Sequence, residues 1–293
     1  MIILNPVMVA SGTYGWGEEA SELIDLDKLG AFVTKTITLR PRLGNPPPRI
    51  CETPSGLLNS IGLQNEGIKA FLKKGLPIFE RFTVPLIVSI AGESVEEFLK
   101  LAEALENQPR VKALEVNVSC PNVKKGMLFG TSPDLTAELV RRLRKAFSRT
   151  IIVKLTPNAP DITAVARAAE REGADVLSLV NTFLGMAIDI RTRHSRLSTI
   201  FGGLSGPAIK PLALRYVWEV FRAVEIPIIG MGGITCGQDA LEFILAGATA
   251  VAVGSASFRR YDAPLKVLEE LVLLMEELKI ESLAQVKGSF IYE

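Results

Sequence analysis

Apolar residues in this chain come in short runs with helical patterns between them. The runs cover residues 6–10, 31–38, 85–91, 113–118, 151–155, 175–181, 227–231 and 249–254. Several alternate in the manner of a strand, and turn residues such as Ser11-Gly12 close them. Between the runs, helices are predicted over 18–29, 94–106, 133–147, 161–172, 211–224, 238–245 and 263–278. Gly30 and Gly173 read as helix stops. Ser94 reads as an N-cap, with Glu97 completing a capping box.

Eight strand-like runs alternating with helices predict parallel strands in βα units. Eight strands also close a TIM (β/α)8 barrel, and 293 residues suit that α/β fold. A doubly wound open sheet is the rival, disfavoured because no Rossmann fingerprint follows the first strand. No repeat, low-complexity segment or linker divides the chain, so residues 1–293 are expected to form a single barrel domain. Two connections, 39–84 and 182–210, are too long for plain βα loops. Insertions after barrel strands sit over the C-terminal mouth, so both are expected to be lids there.

Composition narrows the function. Lys and Arg total 33 against 32 acidic residues, a net +1, which gives no support to a nucleic-acid or anionic-membrane partner. No apolar stretch approaches the ~20 residues of a membrane span, and the N-terminus lacks the basic region of a signal peptide. Cys51, Cys120 and Cys236 are scattered without a C-x-x-C pair, which fits a reducing cytoplasm and no structural zinc or iron–sulfur cluster. His194 is the only histidine, so a His-based triad or a multi-histidine metal site is nearly excluded. The basic stretch 191–196 around it reads as a solvated face.

Candidate chemistry gathers at the strand ends. In a barrel these converge on one pocket, and here they supply Ser11, Lys35, Ser89, Asn117, Lys154 and Asn181. Gly230-Met-Gly-Gly-Ile234 and Gly254-Ser255 follow the seventh and eighth runs, where barrels often bind phosphate on backbone N–H groups. A lysine on a strand covered on both faces needs an anion. Glu115 is the one carboxylate placed to serve as a core partner, so an anionic ligand is favoured. Asn59, Asn117, Asn122 and Asn181 offer both donors and acceptors, as the amide edges of a pyrimidine-like ring require. Cys120 follows the fourth run between two asparagines. It is either an inert buried thiol or, beside a positive charge, a competent base.

Several motifs together resemble the dihydroorotate dehydrogenases. They are Asn-Val-Ser-Cys-Pro-Asn (117–122), Lys35-Thr36, Asn59-Ser-Ile-Gly-Leu63, Asn181-Thr182, Gly203-Leu-Ser-Gly-Pro-Ala-Ile-Lys-Pro211, Gly232-Gly233 and Gly254-Ser255. The likeness runs in order from about residue 5 to 258, and Cys120 resembles the base of the class 1 enzymes, where the membrane-bound class has Ser. Val123-Lys-Lys-Gly, Phe129-Gly-Thr and Gly185-Met-Ala-Ile-Asp-Ile190 look like subclass 1B, the catalytic FMN subunit of the NAD-linked enzyme.

The resemblance implies roles. Cys120 would remove the C5 proton of dihydroorotate while hydride passes from C6 to FMN, and Lys154 would stabilise negative charge on the reduced flavin. Lys35 would touch flavin and substrate. Asn59, Ser60, Ile61, Gly62, Leu63, Asn117, Asn181 and Thr182 would hold orotate, with Asn122 a further contact. Ser11, Thr36, Ser89, Asn117, Val180, Gly206, Gly232, Gly233, Gly254 and Ser255 would hold FMN. Ser89 stands where the family usually has a flavin-contacting Asn, and Ser255 where Thr is usual. The resemblance also implies a partner subunit carrying FAD and a 2Fe–2S cluster, and a homodimer within a heterotetramer. The rivals are a fumarate-linked class 1A enzyme, another FMN-dependent dihydropyrimidine dehydrogenase, a non-catalytic flavin-binding subunit and a lyase using Lys35 or Lys154 as a Schiff base.

Overall fold

The computed structural model describes residues 1–119 and 129–292. Eight parallel strands make one sheet: β1 (Val7–Val9), β2 (Phe32–Val33), β3 (Leu86–Ile90), β4 (Val111–Asn117), β5 (Thr150–Lys154), β6 (Val176–Leu179), β7 (Ile228–Met231) and β8 (Ala250–Val253). Their spatial order is β1-β8-β7-β6-β5-β4-β3-β2, and a parallel bridge from Met8 to Ala31 returns β2 to β1. The ring is closed, as the alternating pattern predicts, and no sheet edge is left along it.

Alternation along each strand sorts side chains into two cores. Val7, Val9, Leu114, Val116, Ile151, Val153, Val251 and Val253 point outward into the main apolar cluster, which packs under the helices. Met8, Ile87, Ala113, Ile152, Ile229, Ala250 and Ala252 point inward and fill the barrel. The outer ring includes helices Val95–Glu106, Pro133–Ala146, Ile162–Arg171, Lys210–Phe221, Gly237–Leu245 and Ala263–Glu277. Ser94, Ser132 and Asp161 cap three of them by accepting from the backbone N–H of Glu97, Leu135 and Ala164.

The structure differs from the sequence pattern in four places. The helix expected over 18–29 is two short turns, Ala20–Leu23 and Leu26–Lys28. Ile24 is extended between them, and the Asp25 carboxylate caps a fresh turn by accepting from Asp27 N–H. Glu97 does not close a capping box: its carboxylate accepts from Glu93 N–H, one residue ahead of the N-cap. Residues 67–81, inside the first long connection, are helical, although Gly67, Gly75 and Pro77 break the pattern that would announce it.

The fourth difference concerns the two long connections. They meet in a small antiparallel sheet of order Ile50–Thr53, Gly56–Asn59, Gly202–Ser205, Phe183–Gly185. Its Gly-rich strands hide the alternation. Cys51, Leu58 and Leu197 form its own small core.

Gly30 is glycine for closeness, not for a left-handed stop. A Cβ there would lie 2.1 Å from the backbone oxygen of Asn5, at the seam where Gly30 N–H donates to the Val7 carbonyl. Gly30→Ala is expected to cost the apoprotein roughly 1–3 kcal/mol in urea unfolding, the range for overpacking. An unchanged midpoint would show that the seam relaxes freely.

Candidate functional site

At the C-terminal end of the barrel the inward positions turn from apolar to polar. Along β4 the inward side chains are Ala113, then Glu115, then Asn117, and the pairing of Asn117 with Lys154 sets the two polar groups side by side. Neither charge is left bare. The Lys154 ammonium lies 3.7 Å from Glu115 Oε1 and donates to Ser11 Oγ at 3.0 Å. Glu115 in turn accepts from Ser89 Oγ at 3.0 Å and from Ser178 Oγ at 3.3 Å. Ser89 Oγ also lies 3.0 Å from the Thr36 hydroxyl. Lys154 and Glu115 are 4% and 2% exposed, a depth at which removing one partner of a pair typically costs about 3–5 kcal/mol. Lys154 therefore has its anion within the protein, in Glu115, and does not by itself call for an anionic ligand as its place on a strand suggested.

Lys35 is different. It is half-buried, and it makes no ion pair among the described residues. Burial pushes its ammonium below the usual lysine value, and the Arg49 guanidinium nearby pushes the same way. Arg49 is itself held by the carbonyls of Asn45 and Leu43 and by Gln64 Oε1. An anion arriving here would relieve two unopposed positive charges.

Above these groups opens a cavity of about 820 Å³. Its wall includes Ser11, Lys35, Thr36, Asn117, Lys154, Val180, Asn181 and Thr182 from the barrel. The first excursion adds Asn59, Ser60, Ile61, Gly62 and Leu63, and the glycine loops add Gly206, Gly232, Gly233, Gly254 and Ser255. Ser89 is not part of this wall; it is wholly buried beneath it. Cys120 and Asn122, with the motif that begins at Val123, lie outside the described residues. The exposed stretch of Arg191, Arg193, His194 and Arg196 is a surface turn, in which Asp189 accepts from the N–H groups of Arg191 and Thr192.

Amide side chains tie the mouth together. Asn181 Nδ2 donates to Asn117 Oδ1 at 3.3 Å, and the same oxygen accepts from Ser119 N–H at 3.1 Å. Asn59 Nδ2 donates to the Gly203 carbonyl, so the two excursions meet directly at the cavity wall. Thr199 donates to Ser60 Oγ at 2.7 Å, and Asn45 donates to the same hydroxyl. Sequence reasoning passed over Asn158, whose Nδ2 donates to the Thr182 carbonyl and whose Oδ1 accepts from Leu184 N–H. It also passed over Asn65. That side chain accepts from the N–H groups of Thr38 and Gly67 and donates to Thr38 Oγ1 and the Leu63 carbonyl.

The glycine loops suit a phosphate-bearing group. Gly232 and Gly233 have φ of +127° and +77°, values that L side chains rarely adopt. A Cβ on Gly254 would meet only Ala10 Cβ, at 3.7 Å, and would otherwise fill cavity space. Among the described residues no group of three or more His, Cys, Asp or Glu side chains could hold a metal ion, and no helix is long and apolar enough to cross a membrane.

Comparison with known proteins gives consistent results. A family model described as dihydroorotate dehydrogenase matches residues 2–275. The chain is 52% identical over 290 residues to the Desulforudis audaxviator protein named dihydroorotate dehydrogenase B (NAD(+)), catalytic subunit, covering 99% of this chain and 94% of that one. It is 53% identical over 286 residues to the protein of the same name from Trichlorobacter lovleyi, covering 97% and 94%. A crystal structure of the Eimeria tenella dihydroorotate dehydrogenase in complex with ferulenol superposes with a TM-score of 0.81 at 22% identity, covering 97% of this chain and 85% of that one. That likeness speaks to the fold.

Asn65 gives a test of how the cavity wall is built. Asn65→Ala leaves buried backbone donors and acceptors unpaired, so a loss of about 1–3 kcal/mol in urea unfolding is expected. Amide exchange should quicken over 59–67. Unchanged protection there would show that the wall is held by the sheet alone.

Proposed function

The chain belongs to the dihydroorotate dehydrogenase family, and from that premise we propose that it oxidises dihydroorotate to orotate in pyrimidine biosynthesis, with FMN as its cofactor and NAD as the final acceptor. The observation that carries this reading is one cavity in which a cation without a carboxylate partner among the described residues, a paired cation, a row of carboxamides and phosphate-fitting glycine loops come together. FMN, when bound, supplies the acceptor for the hydride leaving C6 of the substrate.

The protein's own groups do the rest. Lys35 presents uncompensated positive charge to the substrate and the cofactor. Asn59 to Leu63, Asn117, Asn181 and Thr182 orient the pyrimidine ring and its carboxylate, with Asn122 a further contact. Asn181 donates to Asn117 Oδ1 and accepts from Thr182 N–H, so this part of the wall costs little to reorganise on binding. Cys120 takes the C5 proton as general base. Gly206, Gly232, Gly233, Gly254 and Ser255 would hold FMN together with Ser11, Thr36, Asn117, Lys154 and Val180, the glycines leaving room for its phosphate. Ser89 acts from below, through Thr36.

Electrons leave through a second protein. The chain has no Gly-x-Gly-x-x-Gly after its first strand, and three scattered cysteines cannot supply four thiolates to a cluster. The B-type relatives are named as catalytic subunits, which supports a partner. We assign that partner FAD and a 2Fe–2S cluster, with two catalytic chains pairing as a homodimer inside a heterotetramer. The domain reading is one barrel unit for the whole chain, in the cytoplasm.

Two measurements test this reading. Cys120→Ala is expected to keep yellow FMN and bind orotate while reducing flavin roughly 10²–10⁴-fold more slowly, the usual worth of a general base. Stopped-flow reduction at the wild-type rate would remove Cys120 from the mechanism, and turnover of dihydrouracil in preference to dihydroorotate would overturn the substrate. The isolated chain should reduce a dye with dihydroorotate but reduce NAD slowly until the partner is added. Fast NAD reduction alone, or fumarate turnover at the dye rate, would refute the partner.

A further inference from the structure

Glu115 has no place in the cavity wall, yet it is the one carboxylate among the described residues that faces Lys154. It lies one layer below the mouth, 2% exposed, and is held by hydroxyls from two other strands. Ser89 on β3 donates to Oε1 and Ser178 on β6 to Oε2. A hydroxyl on each oxygen holds the carboxylate in place beneath Lys154. Lys154 carries three N–H donors. One goes to Ser11 Oγ and one direction faces Glu115 at 3.7 Å, which leaves the third for the cavity that Lys154 lines.

We propose that Glu115 is the positioning residue of Lys154: it fixes the ammonium at the barrel mouth, with one N–H directed into the cavity, so that cofactor affinity belongs to the pair rather than to Lys154 alone. The inference rests on the FMN reading above and deepens it. A buried cation without its counter-charge is unfavourable, and so is a buried carboxylate without its cation. Removing Lys154 therefore does two things at once: it deletes a positive charge and leaves the Glu115 charge bare beneath the cofactor. Loss of FMN in a Lys154 variant cannot be read as one missing contact.

The test is a double-mutant cycle on FMN binding, read by quenching of flavin fluorescence as apoprotein is added. Urea unfolding of each apoprotein runs in parallel. Lys154→Gln and Glu115→Gln are each expected to weaken FMN by about tenfold or more, and the double variant by clearly less than the product of the two, since groups in contact couple. Glu115→Asp, which keeps a carboxylate, should bind more tightly than Glu115→Gln, which keeps the shape without the charge. A role in packing alone would reverse that order. If Lys154→Gln fails to fold, the Asp and Gln variants at 115 carry the test by themselves. Penalties that multiply, or wild-type binding by Glu115→Gln, would overturn this inference and leave the cofactor reading standing. A wild-type chain that leaves FMN fluorescence unquenched would overturn both.

Discussion

A parallel strand covered on both faces can carry a charge only where another strand supplies the opposite one, and that constraint shapes the upper half of this barrel. Below, the inward positions are methyl-bearing side chains: Ile87, Ala113, Ile152, Ile229, Ala250. One layer up, Glu115 of β4 faces Lys154 of the adjacent β5 and accepts from Ser89 of β3 and Ser178 of β6. The ion pair is possible because each oxygen of the carboxylate also receives a hydroxyl, so little hydrogen-bonding capacity is wasted in the dry interior. The cavity begins where this layer ends.

The cavity's roof is built by the same accounting. Two excursions far apart in sequence are joined by strand pairing of Gly56–Asn59 with Gly202–Ser205, and the join continues through Asn59 to Gly203 and Thr199 to Ser60. Asn65 then ties the loop after Asn59 back to Thr38, above β2. The loop from Asn59 to Leu63 is thus anchored at both ends to different parts of the molecule. A segment held this way can present backbone and amide groups to a ligand with little ordering cost.

Much of the fold was legible because period-two and helical patterns alternate cleanly. Each expected strand is present, although the second run, 31–38, is a strand only over Phe32–Val33 and leaves Lys35 beyond its end; the closing bridge from Met8 to Ala31 joins the first two expected runs. What escaped was structure without a hydrophobic period. Gly56, Gly202 and Gly203 carry no side chain to alternate, so the small sheet left no pattern. Its pairing is decided by contacts between residues about 145 positions apart, such as Leu58 with Leu204, and no local rule sees those. At the site, strand-end position sufficed to find Lys35, Asn117, Lys154 and Asn181. The partner of Lys154 was visible only as an exception, and the displacement of Ser89 from the cavity wall was not visible at all, because depth within a barrel depends on register between strands.

The two lysines show why depth matters to function. Lys154 has a permanent anion beneath it, so its charge is largely balanced whether or not a ligand is present. Lys35 has none among the described residues, and Arg49 adds a second positive charge nearby. A half-buried cation with no counter-charge is only partly solvated and gains when an anion arrives, so the gain at Lys35 is realised on binding and lost on release. A compensated cation changes its interactions little on the same event. On the proposed reading this divides the labour: the balanced lysine suits a cofactor that stays, and the unbalanced one suits a carboxylate substrate that comes and goes. The division follows from position: β4 carries Glu115 and Asn117 inward beside β5, while Lys35 lies in the segment just past the end of β2 and makes no ion pair among the described residues.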